Sequence, residues 1–342
     1  MDDPTAQAGD PEPVGRAGTA PLDEAVAHVA ADVTAAAVPE WHRLAVDAAR
    51  RVEDDLFSPD GDPEPVGLVR DLTFDSSRLP VGGDADVPVR VYVPEGVAPG
   101  EPEAPTLVFC HGGCWAMGTL DSVGDVCRRL CRRANCVVVS VDYRLAPEHP
   151  FPAGLDDVTA ALSWVRETAP TFGGDPERVG VAGTSAGATL AAGVALRAAR
   201  EPAVPEPACQ CLLYPATDPE MTGDAAVENA EGPLLTAADM THYWGLYLDS
   251  TAHAANPLAA PARAGPADLA DAAPATVVTA GHDPLRDDGA DYAAALADAG
   301  VAVRHRHYPA MAHGFCSLTE SVAAADEALS TVADDVADLL GG

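Results

Sequence analysis

From residue 69 onward the chain alternates short β-branched runs with longer helical stretches, and this alternation limits its fold more than any other feature. Runs of strand character fall near 69–74, 88–93, 106–110, 136–141, 179–182, 210–214, 276–280 and 302–308. Helical spacing falls near 121–133, 153–168, 186–199, 286–299 and 320–340. Val137-Val138-Val139 and Val277-Val278 are continuous apolar runs, the pattern of strands buried on both faces. The whole predicts an α/β fold: a mostly parallel eight-stranded sheet with helices on both faces. The first two runs lie close in sequence and predict an antiparallel start.

The flanking stretches read differently. Residues 1–20 are rich in Pro, Gly, Asp and Ala and are expected to be mobile. Residues 21–57 read as helical, with Trp41, Leu44, Ala45, Ala48 and Val52 forming one apolar stripe, and 58–67 as a turn-rich linker. The body of the fold is expected over 68–342. Within it, 218–262 is a long insertion between two strands, the kind of segment that forms a lid or a binding element. A helix is predicted to begin near Thr236, capped by its hydroxyl, with Asp239 at the reciprocal position and Trp244, Tyr247 and Leu248 on one face.

Residues 179–190 read VGVAGTSAGATL: a short apolar strand, a turn, then an alanine-rich helix. This is G-x-S-x-G in the context that gives it meaning. A serine forced into a sharp strand-to-helix turn needs neighbours at ±2 that are nearly free of side chain. Its hydroxyl then projects at the carboxyl end of the sheet, above a helix N-terminus that favours developing negative charge. A nucleophile of this kind, Ser185, needs a base, and the base needs an orienting acid. In chain order the acid should come next and the histidine last. Asp283 follows a buried strand in TVVTAGHDPLRDDG, and His313 lies on the loop after the last strand in VAVRHRHYPAMAHGF. Asp287 is the fallback acid, although Asp287 and Asp288 also read as the acidic first turn of a helix. His28, His42 and His253 lie away from strand ends and read as bystanders.

An acyl-transfer site also needs N–H donors aimed at an oxyanion. One should come from Ala186. Others should come from the glycine-rich stretch after the third strand, His111-Gly112-Gly113-Cys114-Trp115, where glycine lets the backbone approach closely. Cys114 keeps an amide that can donate; its thiol as nucleophile is the weaker reading, because the acid–base pair already matches a serine.

Together these pieces resemble the hormone-sensitive lipase-like carboxylesterases, the bacterial family IV esterases of the α/β-hydrolase superfamily. The stretches that carry the resemblance are HGGCW at 111–115, VDYRLAPEHPFPA at 141–153, GTSAG at 183–187, NPLAAP at 256–261, DPLRDDG at 283–289 and YPAMAHGF at 308–315. The resemblance implies a serine carboxylesterase with triad Ser185, Asp283 and His313, and oxyanion amides from Gly112, Gly113 or Cys114, and Ala186. It implies short- to medium-chain esters as substrates, no cofactor, and a helical cap made by about 21–57 and 218–250. Cys114 stands where the family usually has a third glycine, and Ala188 where it usually has a glycine after GTSAG. Arg144 and Glu148 are expected to pair within a proline-stiffened loop that supports the site. An amide, thioester or lactone hydrolase with the same triad is the alternative, as is a non-catalytic small-molecule receptor on the same fold.

Charge bounds the partners. The chain has 20 basic residues, all of them arginine, against 53 Asp and Glu, for a formal net charge of −33. So acidic a surface is expected to repel nucleic acid and anionic membranes; the resemblance implies a small-molecule ester as the partner, with a homodimer open. Lysine-free, acid-rich composition resembles that of proteins from salt-loving organisms, in which salt screens self-repulsion. There is no basic-flanked apolar leader and no run of about 18 apolar residues, so a soluble, cytoplasmic protein is expected. Cys127, Cys131 and Cys136 match no zinc spacing, so no metal is expected; Cys209 and Cys211 read as core, and His305 and His307 as exposed strand histidines.

Overall fold

The computed structural model describes residues 14–58, 61–81, 83 and 85–341. Eight strands form one sheet: β1 (Leu68–Asp75), β2 (Asp86–Val93), β3 (Ala104–Cys110), β4 (Val137–Val141), β5 (Gly174–Thr184), β6 (Gln210–Leu213), β7 (Ala275–His282) and β8 (Val303–Ala312). Their order is β1-β2-β4-β3-β5-β6-β7-β8. β1 pairs antiparallel with β2 and β2 antiparallel with β4; the other neighbours are parallel. The expected antiparallel start and parallel body are both present. β4 is buried along its whole length, as its unbroken valines require, whereas the edge strand β1 is mostly open.

The helices are α1 (Glu24–Ala35), α2 (Val46–Phe57), α3 (Gly124–Arg133), α4 (Ala153–Thr168), α5 (Ala186–Arg200), α6 (Ala225–Glu228), α7 (Ala237–Tyr247), α8 (Thr251–Ala254), α9 (Pro266–Leu269), α10 (Arg286–Asp298) and α11 (Ala323–Gly341). Helices α4, α5 and α10 pack one face of the sheet through Leu155, Val158, Leu190, Val194 and Leu296. Helices α3 and α11 pack the other through Val126, Leu130, Leu329 and Val336. The chain leaves β3, crosses to β4 on one side and returns to β5 on the other. The carboxyl ends of β3 and β5 therefore lie side by side at a reversal of strand order, where open α/β sheets place their ligands.

Three readings need correction. The stripe through Trp41, Leu44, Ala45, Ala48 and Val52 is not one helical face: Val38-Pro39 and a short 3-10 turn at Trp41–Arg43 separate α1 from α2, which begins only at Val46. Proline disfavours the helical conformation in the residue before it and offers no N–H, so the break follows from Pro39. His305 is not exposed but buried, its Nε2 sharing the Thr279 hydroxyl at 2.9 Å, and burial lowers its pKa to about 4. Arg144 pairs with the fully buried Asp157, at 2.8–3.1 Å, and not with Glu148. Glu148 instead takes Arg50 of α2, at 2.7 and 2.9 Å.

Of the stretch 1–20, residues 1–13 lie outside the described residues. Residues 14–20 run along the fold, with Arg16 bonded to Asp291 and the Ala20 amide to the Pro309 carbonyl. All eight cysteines are buried free thiols. Among the described residues, no group of three or more His, Cys, Asp or Glu is placed to hold a metal, and no helix is long and apolar enough to cross a membrane.

Candidate active site

Ser185 lies between the end of β5 and the start of α5, at φ 52° and ψ −120°. A non-glycine residue held there costs roughly 1–3 kcal/mol and needs surroundings that enforce it. The Ser185 amide donates to the Leu213 carbonyl at 2.8 Å, anchoring the turn to β6. Its glycine neighbours have no room for a side chain. A Cβ at Gly183 would come within 2.4 Å of the Gly187 carbonyl carbon, and one at Gly187 within 2.2 Å of the Cys110 carbonyl oxygen. The two glycines of the motif are thus a packing necessity where α5 folds back over β3 and β5.

The candidate acid and base follow the last two strands, β7 and β8. His313, just past β8, places Nε2 2.8 Å from Ser185 Oγ and Nδ1 2.8 Å from Asp283 Oδ2. Asp283 follows β7 and is fully buried; its other oxygen accepts the Leu285 amide at 2.8 Å. Because the carboxylate accepts from Nδ1–H, the histidine is left with Nε2 as the acceptor for the serine hydroxyl. Tyr214 packs edge-on to the imidazole, centroids 4.9 Å apart. The fallback acid lies elsewhere: Asp287 accepts the Ala225 amide at 3.0 Å and Arg286 Nε at 2.9 Å.

The loop after β3 runs directly over this turn, so that a Cβ at Gly112 would lie 3.5 Å from Ser185 Cβ. Among the described residues, the amides of Gly112, Gly113 and Cys114 make no hydrogen bond, and the amide of Ala186 opens α5. His111 holds the loop in shape, a role the sequence reading missed. Its Nδ1 donates to the Gly112 carbonyl at 2.7 Å, its ring stacks on Tyr143 at 4.3 Å, and Tyr143 Oη donates back to the His111 carbonyl at 2.9 Å. The Gly112 carbonyl and the Gly113 N–H belong to one peptide plane, so fixing the first turns the second to the opposite side. Burial lowers the His111 pKa to about 4, which keeps the ring in the neutral form.

Cys114 is buried, its Sγ 4.0 Å from the Met240 sulfur. Burial, with Asp239 and Glu53 nearby, pushes its pKa well up, so the thiol is held protonated and unreactive. Its backbone sits at φ 51°, in the left-handed region usually left to glycine.

The cavity above Ser185 is small, about 60 Å³. Loop residues Gly112, Gly113 and Cys114 together with Ser185 and His313 form its floor; Trp41, Glu53, Phe57, Leu234 and Leu235 close it from above. The roof residues come from two distant stretches that bond to each other. Trp41 Nε1 donates to the Leu234 carbonyl at 2.9 Å, and Tyr243 Oη to the Trp41 carbonyl at 3.3 Å. The His42 amide donates to Asp239 Oδ1 at 2.8 Å, and His42 Nδ1 meets the same oxygen at 2.8 Å. Asp239 and Thr236 form the expected reciprocal cap of α7. His42 is therefore a structural tie, outside the Ser185–His313–Asp283 chain. Apolar periodicity marked Trp41; nothing local marked Glu53, which sits in an acidic run that reads as a solvated face.

A mostly parallel sheet with a strained serine at the end of β5, followed by an aspartate after β7 and a histidine after β8, defines an α/β hydrolase. Comparison with known proteins agrees: residues 107–317 match the family model described as alpha/beta hydrolase fold. The chain belongs to that family. It is similar to the carboxylesterase NlhH of Mycobacterium tuberculosis, 43% identical over 268 residues, covering 77% of this chain and 82% of the relative. An ethyl acetate hydrolase of Pseudomonas putida is 32% identical over 307 residues, covering 90% and 94%. Among solved structures, an ester hydrolase from the metagenome of Lake Arreo superposes with a TM-score of 0.85 at 35% identity, covering 94% of this chain and 100% of that one.

Proposed function

We propose that Ser185, His313 and Asp283 hydrolyse short- to medium-chain carboxylic esters through an acyl-enzyme. The reaction class is that of the relatives, and the chain is a carboxylic ester hydrolase. The observation that carries the residue assignment is the continuous Asp283–His313–Ser185 hydrogen-bond chain, 2.8 Å at each link, ending on a strained serine beneath unbonded loop amides. His313 takes the serine proton as Oγ attacks the ester carbonyl, then gives it to the departing alcohol. Asp283 holds the imidazole tautomer and offsets its positive charge. The amides of Ala186 and of Gly112, Gly113 or Cys114 receive the oxyanion. Water then repeats the cycle on the acyl-serine. The small cavity favours the short end of the acyl range. Residues 21–57 and 218–250 act as one helical cap, a reading supported by the Trp41, His42 and Tyr243 bonds; 68–342 is the catalytic body.

The test is hydrolysis of p-nitrophenyl esters of graded acyl length, with Ser185→Ala alongside. Turnover of acetate to hexanoate esters that vanishes in the variant is the expected result. Turnover that survives in Ser185→Ala overturns the nucleophile assignment. Turnover of amides, thioesters or lactones but not esters overturns the substrate class, and ligand binding with no turnover at all points to a receptor. The net charge of −33 supports a salt-adapted cytoplasmic setting, as do eight free thiols. Stability is expected to fall when salt is removed, and a melting temperature indifferent to salt overturns that setting.

A further inference from the structure

One group in the cavity is unused by acyl transfer. Glu53 lies on the inner side of α2, 5% exposed, and lines the same space as Ser185 and His313. It is the one carboxyl among the described residues that line this cavity; its roof neighbours Trp41, Phe57, Leu234 and Leu235 are apolar or aromatic. Its Oε2 is buried with no hydrogen-bond partner among the described residues. The cation one turn earlier on α2, Arg50, is committed elsewhere, to Glu148 and to the carbonyls of Ala116 and Ala146. A buried carboxyl with no cation and a free oxygen is costly to keep, and an apolar residue would close this roof at less cost. Its retention at the catalytic cavity calls for a partner that arrives with the substrate.

We propose that Glu53 is a specificity-determining residue that hydrogen-bonds a hydroxyl group carried by the substrate, so that the favoured substrates are hydroxylated esters rather than plain alkyl esters. This rests on the acyl-transfer reading above and names its substrate class. Burial, then the neighbouring Asp54 charge, raises the Glu53 pKa to about 8, outweighing the Ser122 hydroxyl and the Gly118 amide that flank it. The protonated carboxyl both donates and accepts, which matches a hydroxyl and gives an ammonium no counter-charge. A site built around such a bond discriminates against the analogue that lacks the hydroxyl, because its polar group is then left unpaired.

Two near-isosteric pairs test this on the two sides of the ester. The first is p-nitrophenyl 3-hydroxybutanoate against p-nitrophenyl 3-methylbutanoate; the second is 2-hydroxyethyl butanoate against propyl butanoate. In wild type the hydroxyl ester of at least one pair is expected to have a kcat/KM about tenfold or more above its partner. Glu53→Met should bring that ratio to one or below, while Glu53→Gln, which still donates and accepts, should keep most of it. Ratios near one in wild type for both pairs overturn the proposal without any variant. So does a ratio unchanged in Glu53→Met with both rates lowered equally, the mark of a purely structural residue. Preference for a 2-aminoethyl ester over the 2-hydroxyethyl ester overturns the hydroxyl assignment in favour of a carboxylate. If no ester turns over, the acyl-transfer reading falls, and this proposal with it; turnover with flat ratios removes the Glu53 assignment alone.

Discussion

The floor and the roof of the cavity are built on different principles. Each floor residue sits at or just past a strand end and has a fixed partner: Ser185 has Leu213, His313 has Asp283, Asp283 has Leu285, and the Gly112 peptide has His111. Strand register sets these positions, since Cys110 of β3 pairs with Gly183 of β5. The roof comes from the turn at Trp41, from α2 and from Leu234-Leu235. Its two parts are tied by side chains, chiefly Asp239, and it is fixed to the body by Arg50 and by Trp244 and Tyr247 packed on Trp115. The difference separates two tasks. Bond-making geometry belongs to the backbone, and the choice of what enters belongs to side chains that can change without disturbing the sheet.

The sharpest way to break this division is to disturb the floor. Asp283→Asn leaves the shape intact but favours the wrong imidazole tautomer, and should lower kcat by about 10²–10⁴-fold with little change in melting temperature. Asp287→Asn, in the first turn of α10, should spare kcat and lower stability, because its bonds are to Ala225 and Arg286. If the two variants exchange these effects, the acid has been misassigned.

A roof variant should act on stability and KM more than on kcat. Asp239→Ala removes the α7 cap and the His42 bonds together, and should cost about 2 kcal/mol or more by denaturant melts. A kcat loss as large as that of Asp283→Asn would mean that floor and roof are not separable.

A smaller effect should appear in the pH dependence of stability. The Glu53 pKa rises from 4.5 unfolded to about 8 folded, through burial and Asp54. The folded protein therefore holds that proton more tightly. Its stabilising share is fully present below about 4.5 and is lost as the pH climbs through 8. The groups around it are Asp54, Cys114, Tyr143 and, across the cavity, His313. Glu53→Gln removes this slope, so its melting temperature should gain on wild type between pH 5 and pH 8. A constant difference sinks the expectation.

The smallest effect is expected at Cys114. With the thiol held protonated and the backbone at φ 51°, Cys114→Gly removes strain and leaves the amide, so kcat should change by less than about tenfold. A larger loss would show that the side chain, and not only the peptide, shapes the oxyanion loop.

What was legible in the sequence follows the same line. The valines of β4, the GTSAG turn and the order Ser185, Asp283, His313 are local patterns whose physics is complete within a few residues, and the structure places all three side chains in one hydrogen-bonded chain. What was not legible depends on partners far apart in sequence. Arg50 and Glu148 are 98 residues apart, and no local rule turns Glu148 from Arg144 to Arg50. Arg144 is drawn off because Asp157, deep in α4, is fully buried and requires a cation. Glu53 was hidden for the same reason: an acidic run looks solvated until the roof closes over one of its members. The break at Val38-Pro39 was local, and the stripe through Trp41 and Leu44 masked it.

The fastening of the roof by side chains rather than by strand pairing has a consequence for how the protein fails. Heating is expected to loosen this layer before the sheet, because local opening begins outside the elements that strand pairing locks together. The strained serine and its histidine will still stand on an intact sheet. Between that first loosening and global melting there is a range of conditions in which the enzyme still turns over ester but has lost its selectivity.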